Sequence, residues 1–228
     1  MKLSPRLKSI VDLLDLPARV GDIGADHGYL AIHLARQDKD NYIIASDYNK
    51  APYKAALNNV RRFALSDRID VRLGSGLSVL NEGEVDQVVI AGMGSKTIKS
   101  ILEDDQSLAL KLDKLVLQPM AGASSLRRWL VKNGYKISDE KLILEGDFLY
   151  QIIAAKPGEM DDEGEFILEL GPKLLEKKDP LLELYFKSLE DEWSEVIEKI
   201  SMNAPNHPKI DIINKKLNKL KGLKRRIT

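Results

Sequence analysis

Apolar positions along the chain follow two rhythms that take turns. Short runs at strand length cover residues 19–23, 42–46, 69–73, 85–91 and 114–117, and helical spacing fills 28–36, 50–62, 95–103 and 123–132 between them. Strand and helix alternate, which predicts an α/β fold with a mainly parallel sheet. Val88-Val89-Ile90-Ala91 is apolar without alternation, as a strand covered on both faces requires. Ahead of the first strand, residues 4–14 read as a short amphipathic helix. Ser4 suits its cap, Pro5 its first turn, and Leu7, Ile10, Val11 and Leu14 share a face.

After the fifth strand the rhythm changes. Residues 135–144 and 149–155 both read as strands, separated only by Glu145-Gly146-Asp147-Phe148. Four residues cannot hold a crossover helix, so the pair is predicted to be an antiparallel hairpin. Five parallel strands closed by such a hairpin give the chain order of the class I methyltransferase, Rossmann-like sheet. Pro157-Gly158 and the acidic run that follows mark a boundary, which predicts domains at 1–158 and 159–228. Beyond it, Leu182, Phe186, Leu189, Trp193, Val196 and Ile200 recur at helical steps, and Ile210, Ile213, Leu217 and Leu220 resume them after a break at 203–208. This predicts a helical hairpin with an apolar seam, either self-paired as an antiparallel coiled coil or docked on the main domain.

Composition narrows the classes of function. The chain has 228 residues and no Cys, which excludes a disulfide framework, a thiolate zinc site and a cysteine nucleophile. No apolar run approaches the roughly 20 residues of a membrane span, and the first ten residues carry no signal-peptide core; a soluble, cytoplasmic protein is expected. Its 35 basic and 35 acidic residues balance, but unevenly along the chain. Residues 161–198 hold 13 Asp/Glu against 4 Lys/Arg, and residues 209–228 hold 8 Lys/Arg against 1 Asp. Two pairing helices with surplus positive charge at the far end fit that pattern.

The segment richest in chemistry is Asp22-Ile-Gly-Ala-Asp-His-Gly-Tyr-Leu30, which straddles the first strand and the next helix. Gly24 permits a tight turn and Gly28 a close approach to a ligand, with Ala25 between them. A dinucleotide fingerprint has glycine at the middle position, so that a pyrophosphate can rest on the helix N-terminus. Here that position is Asp26. An acid repels pyrophosphate and suits a cationic or hydrogen-bonding ligand, so the loop favours S-adenosyl-L-methionine over NAD. Asp47, at the end of the second strand and followed by Tyr48, fits a ribose-binding carboxylate, the reading the upstream loop favours over a helix cap. Gly74-Ser75-Gly76 follows the third strand, where adenine is bound in class I enzymes, and a plain turn also explains it. Ala91-Gly92-Met93-Gly94 follows the fourth strand, and Gln118-Pro119 ends the fifth. All these loops share the carboxyl edge of the sheet, where open α/β folds bind ligands. Gln118 is a candidate to hydrogen-bond a base.

Together these residues resemble the bacterial tRNA (adenine-22-N1)-methyltransferase family. The resemblance rests on Leu3-Ser-Pro-Arg-Leu7, the 22–30 segment, Val89-Ile-Ala-Gly-Met-Gly94, Leu117-Gln-Pro119 and Gly171-Pro-Lys-Leu-Leu175, and it spans nearly the whole chain in order. It implies a Rossmann-like catalytic domain, S-adenosyl-L-methionine as cofactor, N1 of a tRNA D-loop adenosine as acceptor, and a C-terminal coiled-coil domain that helps to hold tRNA. It places Asp22, Gly24, Asp26 and Gly28 at the cofactor, with His27 and Tyr29 nearby. Ser95 and Met120 depart from the family pattern beside the presumed acceptor pocket.

N1 of adenine has a free lone pair, so the transfer needs positioning and electrostatics more than a strong base. Asp26 is the carboxylate placed to help, or it only shapes the loop. Tyr29 is a candidate for stacking on a flipped base, and His27 for a substrate contact. Arg6 is a candidate to close the cofactor pocket. No second histidine pairs with His27 in sequence, so no metal is expected. For tRNA phosphates the candidate cations are Lys2, Arg6 and Lys8, Arg61 and Arg62, Arg127 and Arg128, and the tail from Lys215 through Lys219 and Lys224 to Arg225 and Arg226. A small-molecule methyltransferase whose helical tail serves as a lid or dimer contact stays open as an alternative, as does an RNA-binding protein without catalysis.

Overall fold

The structure, a computed structural model, describes residues 3–227. Helix α1 (Pro5–Val11) leads into β1 (Arg19–Ile23), α2 (Tyr29–Gln37), β2 (Tyr42–Asp47), α3 (Lys50–Arg62) and β3 (Ile69–Leu73). A 3-10 turn (Gly76–Val79) precedes β4 (Gln87–Met93), α4 (Ser95–Asp104), α5 (Gln106–Ala109), β5 (Lys114–Pro119) and α6 (Ala123–Lys132). The hairpin β6 (Tyr135–Glu145) and β7 (Phe148–Pro157) follows, then α7 (Glu165–Leu170), α8 (Pro172–Glu176), α9 (Leu182–Asn203) and α10 (Pro208–Ile227). The strands form one sheet in the order β3-β2-β1-β4-β5-β7-β6. β1 to β5 run parallel, while β7 is antiparallel to both β5 and β6. This is the class I order that the alternation and the four-residue turn predict.

Alternate residues of the central strands feed two cores. Val88 and Ile90 join Leu115 and Leu117 against Ile98 and Leu102 of α4 and Leu126 and Leu130 of α6. Val89 and Val116 join Ile10 of α1, Ile32 and Leu34 of α2 and Val60 of α3 on the other face. A strand packed on both faces has no polar side to show, which explains the unbroken apolar run.

The first helix ends at Val11, short of the predicted residue 14, although Leu13 and Leu14 stay buried in the turn that follows. β4 starts at Gln87 and runs on to Met93, so all of the expected glycine loop but Gly94 is strand. The pairing of β4 with β5 slips between Ala91 and Met93, and Gly92 takes φ +75° there. That bulge turns the strand end over the carboxyl edge of the sheet.

The chain divides into two compact units, Met1–Lys173 and Leu174–Thr228. The division falls later than the expected 158/159 because α7 packs on α6 and the residues after it are tied back into the first unit, as described below. In the second unit α9 and α10 pack together. Lys224 Nζ lies 2.9 Å from Glu190 Oε2, and Lys216 Nζ sits 5.6 Å from the centre of the Trp193 ring, so the two helices run antiparallel. Leu182, Phe186, Trp193, Ile213 and Leu220 of the predicted seam are buried, as is Tyr185.

Candidate active site

Four strand ends build the cleft. At β1 the chain leaves the sheet at Gly24, whose amide and that of Ala25 both donate to Ser46 O at 2.8 Å. Gly24 has φ +76°, and a Cβ there would stand 2.2 Å from Met93 Cε. Only glycine fits. Asp26 also occupies the left-handed region, at φ 50°, which Asp tolerates better than most residues. Gly28 then starts α2, its carbonyl accepting from Ile32 N–H, and Asn59 Nδ2 donates to His27 O at 3.0 Å.

Two cavities flank this loop. The first, of about 370 Å³, is lined by Arg6, Asp22, Asp26, His27, Tyr29 and Gly92 among others. Asp22 is buried, and its Oδ2 has no hydrogen-bond partner. Burial pushes its pKa up to about 7; a hydrogen bond from the Ala31 amide opposes the rise and the Asp47 charge adds to it. An unpaired buried carboxylate is expensive unless a ligand supplies the missing donor. His27 and Tyr29 stack with ring centres 5.4 Å apart, and His27 Nε2 lies 3.6 Å from Asp26 Oδ1. The three residues expected to serve catalysis therefore share one wall.

The second cavity, of about 440 Å³, is lined by Asp47, Tyr48, Gly74, Ser75, Gly76 and Met93, and it shares Gly24, Ala91 and Gly92 with the first. Asp47 Oδ1 accepts the Asn49 amide at 2.8 Å, and its Oδ2 accepts the Asp26 amide at 3.4 Å. One carboxylate thus ties its own turn to the 24–28 loop while bordering the cavity. Thr97, Ser100, Ile101 and Asp104 of α4 also line it. Sequence reading passed over them, although their spacing marks one stripe of α4. Leu7 and Leu30 in the first cavity were likewise missed, because apolar residues beside helix starts carry no chemical signature.

Other expected contacts are corrected. Arg127 is fully buried, with Nε 2.5 Å from Glu140 Oε1, so it reaches no phosphate. Gln118 is also fully buried with its amide committed inside the protein, and it cannot read a base. Pro119 is buried beside it, and Gly94 caps α4 through its backbone and lines neither cavity. Ser95 is buried, and a Cβ on Gly122 would stand 2.4 Å from its Oγ, so the substitution at this position packs on α6 away from the cleft. Met120 is half exposed and lines neither cavity. Arg128 pairs with Glu165 at 3.5 Å. Lys8, Arg61 and Arg62 are exposed, and Lys2 lies outside the described residues. On α10, Lys215, Lys219 and Arg225 are exposed, whereas Lys224 is engaged by Glu190. Among the described residues no helix is long and apolar enough to cross a membrane, and no group of three His, Cys, Asp or Glu is placed to hold a metal.

A doubly wound sheet with twin cavities at its switch point, one around the buried Asp22 and the other bordered by Asp47, has the architecture of a class I methyltransferase. Residues 3–153 match the family model described as methyltransferase domain. The chain is 32% identical over 90% of its length, and 88% of the relative's, to the tRNA (adenine(22)-N(1))-methyltransferase of Bacillus subtilis. It is similar to the crystal structure of the B. subtilis m1A22 tRNA methyltransferase TrmK, with 30% identity, TM-score 0.83 and 100% and 99% of the two chains covered. It is also similar to M. capricolum TrmK, solved with S-adenosyl-homocysteine, at 30% identity, TM-score 0.85 and full coverage of both chains. The chain belongs to the tRNA (adenine-22-N1)-methyltransferase family.

Proposed function

We propose that this protein transfers a methyl group from S-adenosyl-L-methionine to N1 of adenosine 22 in the D-loop of tRNA. The observation that carries the cofactor reading is the unpartnered Asp22 oxygen in the first cavity, which Arg6 also lines. An amino-acid end, with one ammonium and one carboxylate, is complementary to that pair. The second cavity fits a nucleoside: Asp47 for the ribose hydroxyls, and the Gly74–Gly76 turn with Tyr48 for the base. Neither cavity suits a pyrophosphate, since Asp22 and Asp26 line the first and Asp47 and Asp104 the second.

When bound, the cofactor would supply a sulfonium methyl open to attack by the adenine N1 lone pair, its thioether leaving with the C–S electron pair as the N–C bond forms. Tyr29, 44% exposed at the rim, provides a face on which an unstacked base can lie. Asp26, which lines the first cavity, would accept from the exocyclic amine and favour the ring as it becomes cationic. His27, stacked on Tyr29, narrows the ring's freedom to turn. A tRNA substrate fits a cytoplasmic enzyme.

Labelled methyl transfer to unmodified tRNA tests the reading. Incorporation into tRNA with adenosine at position 22, and none into the same tRNA carrying guanosine there, is expected. Equal labelling of both, or of neither, overturns it. The tail makes a separate prediction. K215E together with R225E is expected to weaken tRNA binding at least tenfold in 0.1 M salt and to lower the salt slope by about 2. S-Adenosylhomocysteine affinity, measured by calorimetry, is expected to stay unchanged. An unaltered salt series for tRNA would remove α10 from the RNA interface.

A further inference from the structure

Gln118 sits at the end of β5 with no exposed surface, yet two of its neighbours belong to the cleft. Its Oε1 accepts two hydrogen bonds at once, from Arg6 Nη1 at 2.5 Å and from the Gly92 amide at 3.0 Å. Its Nε2 donates to Pro119 O at 3.0 Å and lies 3.8 Å from Met120 Sδ. Arg6 and Gly92 both line the first cavity. Gly92 is also the bulged residue of β4, and a Cβ on it would lie 3.6 Å from Arg6 Nη1.

Arg6 is steered from its other side as well. Its amide donates to Glu145 Oε1 at 3.1 Å, and its Nε lies 3.5 Å from Glu145 Oε2. The guanidinium carbon stands 5.3 Å from the centre of the Tyr150 ring. The guanidinium is thus clamped between the β6–β7 hairpin and a neutral amide oxygen. A neutral acceptor fixes direction without adding to the negative charge that Glu145 already sets against the guanidinium, as a second carboxylate would. The same oxygen fixes the peptide of the bulge, where a strand end would otherwise be free to shift.

We propose that Gln118 is a positioning residue, which aims the Arg6 guanidinium and sets the Gly92 peptide so that the first cavity accepts the carboxylate of the cofactor's amino-acid end. The proposal rests on the cofactor reading above. Gln118 touches neither cofactor nor base and acts through Arg6 and Gly92.

The test compares two ligands on the full chain by calorimetry. S-Adenosylhomocysteine has the amino-acid end, and 5′-methylthioadenosine lacks it while keeping the thioether and nucleoside. Q118E is expected to weaken S-adenosylhomocysteine at least tenfold and to leave methylthioadenosine within twofold of wild type. In turnover the Q118E KM for S-adenosylmethionine should rise while kcat at saturation stays within about threefold. Q118M, which removes the acceptor without adding charge, should give the same split more weakly, and it serves where Q118E does not fold. R6A with Q118E should bind no worse than R6A alone, because both act on one contact. Equal losses for both ligands, no loss for either, or additive effects with R6A would overturn the proposal. If the wild type binds neither ligand, the cofactor reading itself falls, a result distinct from every mutant outcome.

Discussion

Replacing Asp22 with asparagine is expected to raise the melting temperature of the ligand-free protein at pH 8 by a few degrees, and to remove most of its affinity for S-adenosylhomocysteine. The cause is a carboxyl group that folding buries without a full set of partners. Burial lifts its pKa from 3.8 to about 7. Between those values the native state keeps a proton that the unfolded chain has released. Stability then falls as pH rises, because the unfolded state binds fewer protons. The loss is complete above about pH 7, and a rise of that size in pKa corresponds to about 4 kcal/mol. Asparagine escapes this loss, keeps an acceptor for the Ala31 amide and buries an unpaired NH₂, at about 1–3 kcal/mol. The advantage of D22N should therefore shrink toward pH 5 and vanish or reverse near pH 4, where wild-type Asp22 is neutral in the native state and only about half ionised in the unfolded chain. Thermal melts across that range read the sign directly.

The same group sets a pH dependence for the ligand. An ammonium in the first cavity favours the ionised carboxylate, so binding below pH 7 must first remove a proton. Wild-type affinity for S-adenosylhomocysteine is expected to weaken about tenfold per pH unit below 7 and to level off above it. D22N should bind at least a hundredfold more weakly at pH 8 and show no slope between pH 5.5 and 8. A wild-type affinity that stays flat across this range would mean that Asp22 does not meet the ammonium. The stability gain and the affinity loss come from one atom, which illustrates how a binding site stores instability that its ligand relieves.

Much of this architecture is legible in the residue pattern because its causes are local. Apolar runs without alternation mark strands covered twice, glycines at Gly24 and Gly28 mark left-handed turns, and a four-residue gap admits only a hairpin. The unread parts have non-local causes. The Thr97, Ser100, Ile101 and Asp104 stripe becomes a cavity wall only once β4 carries α4 to the edge of the sheet. Gln118 looks like a base reader until Arg6, 112 residues away in the chain, claims its oxygen. Arg127 is the clearest case. Beside Arg128 it reads as part of a basic surface pair, and its partner Glu140 reads as a solvent-facing position of β6. Tyr135 and Ile137 point inward in alternation, but the register slips between Ile137 and Asp139. Past the bulge the inward set moves by one residue to Glu140 and Leu142, both buried. No period in the sequence announces that slip.

That slip sets up the largest stability effect expected in the molecule. Arg127 donates to Glu140 Oε1, to Gln151 Oε1 at 2.6 Å and to Glu169 O at 3.2 Å, while Glu140 Oε2 accepts the Lys173 amide at 3.0 Å. One buried ion pair thereby ties α6, the hairpin and the chain on either side of Gly171 into a single unit, which is why the first unit extends to Lys173. Arg127→Met leaves the Glu140 charge buried without its partner, a loss of about 3–5 kcal/mol, or roughly 10 °C in melting temperature for a chain of this size. Adding E140L should recover part of that loss, because the stranded charge goes, but not all of it, since the bonds from the Lys173 amide to Glu140 and from Arg127 to the Gln151 oxygen are both lost. Below its melting point R127M is expected to bind tRNA with the wild-type salt slope. A surface arginine on a phosphate would instead take about one unit off the slope and leave the melting temperature within about 1 °C. The two measurements on one variant separate a buried tie from an RNA contact, and a lowered slope with unchanged stability would return Arg127 to the nucleic-acid surface.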